Sequence, residues 1–221
     1  MNTKELLGHV DHTLLTPTAT KEDYINLCDE GIAYGVASVC VPPSRVELCV
    51  NHVAGKIAVC TVIGFPNGYV ETAIKTDEAK IASWKGAKEF DMVIDIGKFK
   101  DKAHAAVLAD IKAVRAATKG RILKVIIETA YLTQEEKITL CKFVSTSGAD
   151  YIKTSTGFAS GGATFEDVEL LRKHVAPHVK VKAAGGIATL DDAYKFISLG
   201  ADRLGTSKII KLVQGLKGEG Y

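Results

Sequence analysis

The chain has 221 residues, enough for one sizeable hydrophobic core, with 47% apolar and 24% charged side chains and a net charge of only +2. Acids and bases are mixed throughout, which excludes a nucleic-acid or membrane-surface protein read by charge, and no stretch approaches the roughly 20 apolar residues of a membrane span. The first nine residues lack the apolar centre of a signal peptide, so a cytoplasmic location is expected.

Apolar, β-branched runs then recur along the chain, each followed by a stretch of helical period. In order, the spacing predicts a strand over 8–14 and a helix over 21–34, then strand 36–41 and helix 44–52, and strand 56–64 and helix 69–85. Strand 90–97 precedes helix 102–117, strand 122–128 precedes helix 134–147, and strand 150–156 precedes helix 165–174. Strand 179–184 with helix 190–199, and strand 202–205 with helix 207–216, complete the series. Thr20-x-x-Asp23, Thr133-x-x-Glu136, Thr164-x-x-Asp167 and Thr189-x-x-Asp192 each offer a hydroxyl cap and a carboxylate three residues on. Glycines at 31, 35, 86, 120, 148 and 200 fall near expected helix ends or turns, and Gly-Ala-(Lys/Asp) recurs at 86, 148 and 200 between a helix and a strand. Eight strands alternating with eight helices fit a single-domain α/β chain, a (β/α)8 TIM barrel over 1–221, better than an open doubly wound sheet. Residues 215–221 read as a Gly-rich tail, either disordered or free to swing.

Five cysteines, at 28, 40, 49, 60 and 141, are odd in number and at least nine positions apart, so neither a disulfide framework nor a Cys-x-x-Cys knuckle is expected. His174 and His178 have i, i+4 spacing, but Pro177 interrupts any helix that would align them, and no metal site is expected.

In a barrel of this kind the active site lies at the C-terminal ends of the strands. Lys153 sits inside the sixth apolar run, where burial disfavours an ammonium, and a neutral amine is a nucleophile able to form a Schiff base. Lys182 lies on the neighbouring seventh strand, and two inward amines would each depress the other's pKa. Asp91 heads Asp91-Met-Val-Ile-Asp95, where alternation places Asp91, Val93 and Asp95 on the inner face, and a carboxylate beside an amine can shuttle protons. Glu128 is a further inward candidate. Each has a plainer alternative: a strand lysine can snorkel from the barrel bottom, as Lys124 and Lys180 are expected to do, and Asp91 can serve as a cap or an ion-pair partner.

Gly185-Gly186 after strand seven and Gly205-Thr206-Ser207 after strand eight stand where barrels bind phosphate with backbone N–H groups, and Gly157 with the 160–162 loop can contribute. The alternative is tight turns alone. Asp11 can reach the mouth from strand one or serve a turn. Cys40 can line the pocket or be a buried thiol, and Thr154, Ser155 and Thr156 can bind substrate hydroxyls or merely finish the strand.

Tyr151-Ile-Lys-Thr-Ser-Thr-Gly157, Val181-Lys-Ala-Ala-Gly-Gly-Ile187, Glu89-Phe-Asp-Met-Val-Ile94, Lys124-Val-Ile-Ile-Glu-Thr129 and Asp11-His-Thr-Leu-Leu15 together resemble the deoxyribose-phosphate aldolases. The resemblance spans essentially the whole chain. It implies a class I aldehyde-lyase of deoxyribose phosphate catabolism, reversibly cleaving 2-deoxy-D-ribose 5-phosphate to glyceraldehyde 3-phosphate and acetaldehyde without metal or organic cofactor. It makes Lys153 the Schiff-base nucleophile and Lys182 and Asp91 its proton-relaying partners. It places the 5-phosphate on the glycine sites, matches Tyr221 to a C-terminal tyrosine that reaches over the site, and implies a homodimer. Phe158, where some relatives carry lysine, and Lys208, where a second serine often follows Ser207, depart from the pattern at the phosphate contacts. A non-covalent phosphosugar isomerase using Asp91 and a non-catalytic phosphate-binding barrel are the competing readings.

Overall fold

The computed structural model describes residues 1–215; eight parallel strands close into a barrel in chain order, with β1 paired to both β2 and β8. The strands are β1 (Val10–Thr13), β2 (Ser38–Val41), β3 (Ala58–Ile63), β4 (Glu89–Val93), β5 (Ile122–Ile126), β6 (Tyr151–Lys153), β7 (Lys180–Ala184) and β8 (Arg203–Thr206). The helices are α1 (Thr3–Leu7), α2 (Lys21–Tyr34), α3 (Val46–Val53), α4 (Thr72–Trp84), α5 (Ile96–Lys100), α6 (His104–Ala117), α7 (Gln134–Ser147), α8 (Phe165–His174), α9 (Leu190–Ser198) and α10 (Ile209–Val213). The expected (β/α)8 barrel is thus the observed architecture. Residues 216–221, including Tyr221 and most of the expected tail, lie outside the described residues. No helix among the described residues is long and apolar enough to cross a membrane.

Capping chemistry sets most helix starts. Thr20, Thr133 and Thr189 form reciprocal capping boxes with Asp23, Glu136 and Asp192. Thr164 accepts from the Asp167 N–H at 3.1 Å, whereas the Asp167 carboxylate accepts from Lys137 at 2.6 Å instead of closing the box. Gly35 and Gly148 end α2 and α7 in the left-handed region, with φ of 65° and 84°. Gly31 differs from expectation: it lies inside α2, where a Cβ would stand 2.9 Å from Ile57 and Val39.

Two helices went unread in the sequence. α1 is too short for periodicity to register, although Asn2 and Glu5 form a capping box around its start. α5 arises because the Asp95 carboxylate accepts from the Lys98 N–H at 2.9 Å, capping a helix where the apolar run suggested continuing strand. Strand β4 therefore starts at Glu89 and stops at Val93, and Asp95 caps a helix instead of facing the barrel interior.

Alternation along each strand splits the residues into two layers. Outward-facing Val39, Val59, Met92, Val125, Ile152, Val181 and Leu204 pack beneath the helices in one continuous core. The inner layer has only a small apolar cluster, Leu15, Cys40, Cys60 and Val62. Most of the remaining interior is charged, which burial tolerates only where every charge is paired.

Candidate active site

Register brings the charged residues together. Asp91 lies beside Lys124, Lys153 beside Lys182, and Lys182 beside Arg203 across successive strand pairs. Four cations, Lys124, Lys153, Lys182 and Arg203, face three carboxylates, Asp11, Glu89 and Asp91, all buried within the barrel. The amines of Lys153 and Lys182 both donate to Oδ2 of Asp91, at 2.8 and 2.7 Å, so they are immediate neighbours held by one oxygen. Lys124 donates to the other Asp91 oxygen at 2.8 Å.

Lys182 also bonds Asp11, which accepts in addition from Ser38 at 2.6 Å and from Arg203. Asp11 is therefore part of the interior network and not a turn or cap. Beneath this layer Arg203 reaches Glu89 at 3.1 Å and stands over the Tyr151 ring at 5.6 Å, closing the barrel floor. Glu89 also pairs with Lys124 at 2.7 Å.

The electrostatics follow from these contacts. Burial pushes the Asp91 carboxyl up, but the ammoniums of Lys124, Lys153 and Lys182 outweigh it and hold Asp91 well below the ordinary carboxylate range. Asp11 is likewise held low, with burial overcome by Lys124, Lys182 and Arg203. Burial would lower Lys182, yet Asp11 and Asp91 raise it above an ordinary lysine. That corrects the expectation of mutual depression: two carboxylates on Lys182 exceed the effect of neighbouring cations.

Lys124 was also expected to snorkel to solvent, whereas it is fully buried, and burial is offset by Asp11 and Asp91, which raise its pKa. The floor formed by Arg203, Glu89 and Tyr151 leaves it no route out. Lys180, by contrast, is exposed as expected.

The other candidates divide. Cys40 is buried inside the barrel and hydrogen-bonded with Cys60, which holds its thiol lower than usual. Oγ1 of Thr154 is spent on the Ala184 backbone, stitching β6 to β7. Thr156 donates through its backbone N–H and hydroxyl to Glu128, whose carboxyl is pushed up by burial despite those bonds. Glu128 itself has a left-handed φ of 54°, which turns the chain at the top of β5. The Ser155 hydroxyl is buried with no hydrogen-bond partner among the described residues.

Gly157, Gly162, Gly185 and Gly186 form a close stack of backbone at the mouth. A Cβ on Gly162 would fall 2.5 Å from the Gly185 carbonyl carbon and the Gly186 nitrogen, and one on Gly185 would fall 3.6 Å from Gly157. Gly205 departs from expectation: it lies within β8 facing inward, where a Cβ would meet the Lys182 stem at 2.9 Å. Its smallness makes room for Lys182. Oγ1 of Thr206 accepts from the Lys208 N–H at 3.0 Å, and the following helix begins at Ile209, two residues later than expected. Ser207 lines a cavity of about 510 Å³ with His12, Glu30 and Lys211. Phe158 packs edge-on against Phe65 at 5.3 Å.

Glu89, Lys124 and Arg203 were not among the sequence candidates. Alternation alone carried the signal, since Glu89, Lys124 and Arg203 share the inward phase of their strands with Asp91, Ile126 and Gly205. Two sets, Cys40 with Cys60 and Asp91, and Asp11 with Cys60 and Glu89, bring possible metal-donor atoms within 4.8 Å of one another. Every carboxylate in both sets already accepts from lysine or arginine.

The model of the DeoC/LacD family aldolases matches residues 6–216. A deoxyribose-phosphate aldolase from Clostridium botulinum is 52% identical over 221 residues, the whole of both chains. Another, from Streptococcus agalactiae, is 53% identical over 219 residues, 99% of this chain and 98% of its own. Among solved structures, a tetrameric deoxyribose phosphate aldolase from Aeropyrum pernix superposes with a TM-score of 0.89 at 30% identity, covering 97% of this chain and 92% of that one. A non-catalytic barrel or a non-covalent isomerase would leave two adjacent interior amines unexplained, whereas aldol cleavage requires an electron sink of the kind an amine provides. With such matches along its whole length, the chain belongs to the DeoC/LacD family of aldolases.

Proposed function

We infer that the protein is a class I aldolase that reversibly cleaves 2-deoxy-D-ribose 5-phosphate to D-glyceraldehyde 3-phosphate and acetaldehyde, the activity named for its full-length relatives. The observation that carries the mechanism is the sharing of one Asp91 oxygen by the amines of Lys153 and Lys182. Lys153, the last residue of β6, keeps 4% of its side chain exposed where Lys124 and Lys182 keep none. As the free base it attacks C1 of the open-chain sugar, and loss of water from the carbinolamine leaves an imine. The C2–C3 bond then breaks as the C3 hydroxyl loses its proton, the electron pair passes into the imine to give an enamine, and glyceraldehyde 3-phosphate departs. Protonation at C2 and hydrolysis release acetaldehyde and restore the amine.

Asp91 and Lys182 move the protons these steps require. Lys182 is held protonated by two carboxylates and so serves as a donor, while Asp91, held ionised, accepts and returns protons through water. Gly157, Gly185 and Gly186 bring backbone N–H groups to the mouth for the 5-phosphate, with Thr206 and Ser207 at the end of β8 beside them in the fold. The protein works as a homodimer in the cytoplasm and needs neither metal nor organic cofactor.

Borohydride reduction in the presence of acetaldehyde tests this reading. A reduced two-carbon adduct is expected on the peptide carrying Lys153, and Lys153→Leu should lose both adduct and turnover. Turnover retained by Lys153→Leu, or an adduct on another lysine, would refute the assignment.

A further inference from the structure

Helix α4 is built inside out. Its buried face consists of Lys75, Ala79 and Ala82, while Ile74, Ile81 and Trp84 point to solvent with 58%, 55% and 86% of their surface exposed. A helix packed only on its own barrel would bury its large apolar residues and expose its small ones. Tyr69 and Val70, just before the helix, are exposed as well, so five of the eight exposed large hydrophobics among the described residues fall between residues 69 and 84. Exposed apolar side chains gathered on one element in this way mark an interaction surface.

The spacing describes the partner. Ile74, Asp77, Ile81 and Trp84, all within α4, follow the alternating three- and four-residue steps of a helix–helix seam. Glu71 and Lys85 flank it at opposite ends, fourteen residues apart, and neither has an ion-pair partner among the described residues. A second copy of α4 laid antiparallel about a two-fold axis places Ile74 against Ile81 and sets Glu71 of one copy beside Lys85 of the other, at both ends of the seam. The central Asp77 and Lys80, 3.0 Å apart on the same face, leave no net charge at the middle. Opposed helix dipoles add to the match. The seam is thus self-complementary in charge.

We propose that the exposed face of α4 is the interface through which two copies of this chain associate, an inference that rests on the homodimer reading above and adds where the copies meet. An ordinary interface takes about 800 Å² from each copy, more than one helix supplies. Tyr69 and the exposed Tyr131, which line one cavity together with Glu128 and Thr156, extend the patch toward the barrel mouth. Assembly therefore borders the catalytic end of the barrel.

Trp84 is the sole tryptophan, so its emission reports on this face alone. Sedimentation at micromolar concentration should give twice the chain mass for the wild type and the single chain mass for Ile81→Asp, with an unchanged far-ultraviolet circular dichroism spectrum. Trp84 emission should lie to the blue in the dimer and move to the red in Ile81→Asp. Should that variant fail to fold, charge exchange decides the matter: Glu71→Lys should weaken the dimer at least about tenfold, and adding Lys85→Glu should restore it. A wild type that sediments as a single chain overturns both the dimer and the interface. A dimer that survives Ile81→Asp, or a Glu71→Lys loss that Lys85→Glu fails to rescue, overturns the α4 interface and leaves the dimer to another face.

Discussion

Asp11, Glu89 and Asp91 bind Lys124, Lys153, Lys182 and Arg203 inside the barrel, and that pairing organises the site at the level of single residues. Lys153 ends β6 and keeps a trace of exposure where Lys124 and Lys182 keep none, which makes it the amine a substrate can reach. Lys182 cannot take its place, because Asp11 and Asp91 both hold it charged. Lys182→Leu should therefore lower turnover about a hundred- to ten-thousand-fold with Lys153 intact, the range typical of a lost general acid. Steady-state kinetics check this, and near-normal turnover would remove Lys182 from the chemistry. Lys124 plays a different part, since it touches Asp91, Glu89 and Asp11 at once from a fully buried position. Lys124→Met should leave those charges uncompensated and cost about 3–5 kcal/mol of folding free energy, the scale for breaking a buried pair. Urea unfolding measures it, and a loss below about 1 kcal/mol would mean that Arg203 and the other lysines suffice.

At the level of elements, the loops after β6 and β7 are held by glycine against glycine, so their positions are interdependent. Gly162→Ala would drive a methyl group into the Gly185–Gly186 peptide and push the two loops apart. If those loops hold the phosphate, KM for the 5-phosphate should rise about tenfold or more, while turnover of unphosphorylated deoxyribose should change little. Equal losses on both substrates would place the phosphate elsewhere. The helices themselves were legible because caps are local: Thr20, Thr133 and Thr189 mark their helix starts within a four-residue window. Strand order was legible because eight repeats of one rhythm leave few topologies. The strand ends were less so, as at Asp95, where a local cap competes with a continuing apolar run and the cap prevails. The inner charge network was legible only in part, because Lys124 resembles any snorkelling lysine until the barrel floor is known. That floor is formed by Arg203 and Glu89, which are 114 positions apart in sequence.

For the whole molecule, burying seven charged groups in one barrel ties stability to pH through shifts of opposite kind. Asp11 and Asp91 have folded pKa values below their unfolded value of about 3.9, so their contribution is complete above that pH and is lost as pH falls through the folded values. Lys124 and Lys182 are raised above their unfolded value of about 10.4, so theirs is complete below it and is lost only as pH rises through the folded values. Glu128 opposes the carboxylate trend: it is raised by burial, and the native state retains its proton after the unfolded chain has released it, so its ionisation costs stability as pH rises past about 4.3. The sum is a broad plateau across neutral and mildly alkaline pH, a slight rise on its acidic shoulder from Glu128, and a steep fall below about pH 4. The thermal midpoint followed by circular dichroism should trace that shape, and Glu128→Gln should flatten the shoulder while leaving the steep limb in place. A midpoint that declined steadily between about pH 7 and 9 would mean that the interior ammoniums are not held by their carboxylates, and the charge-paired barrel interior would then be the wrong account of this fold's stability.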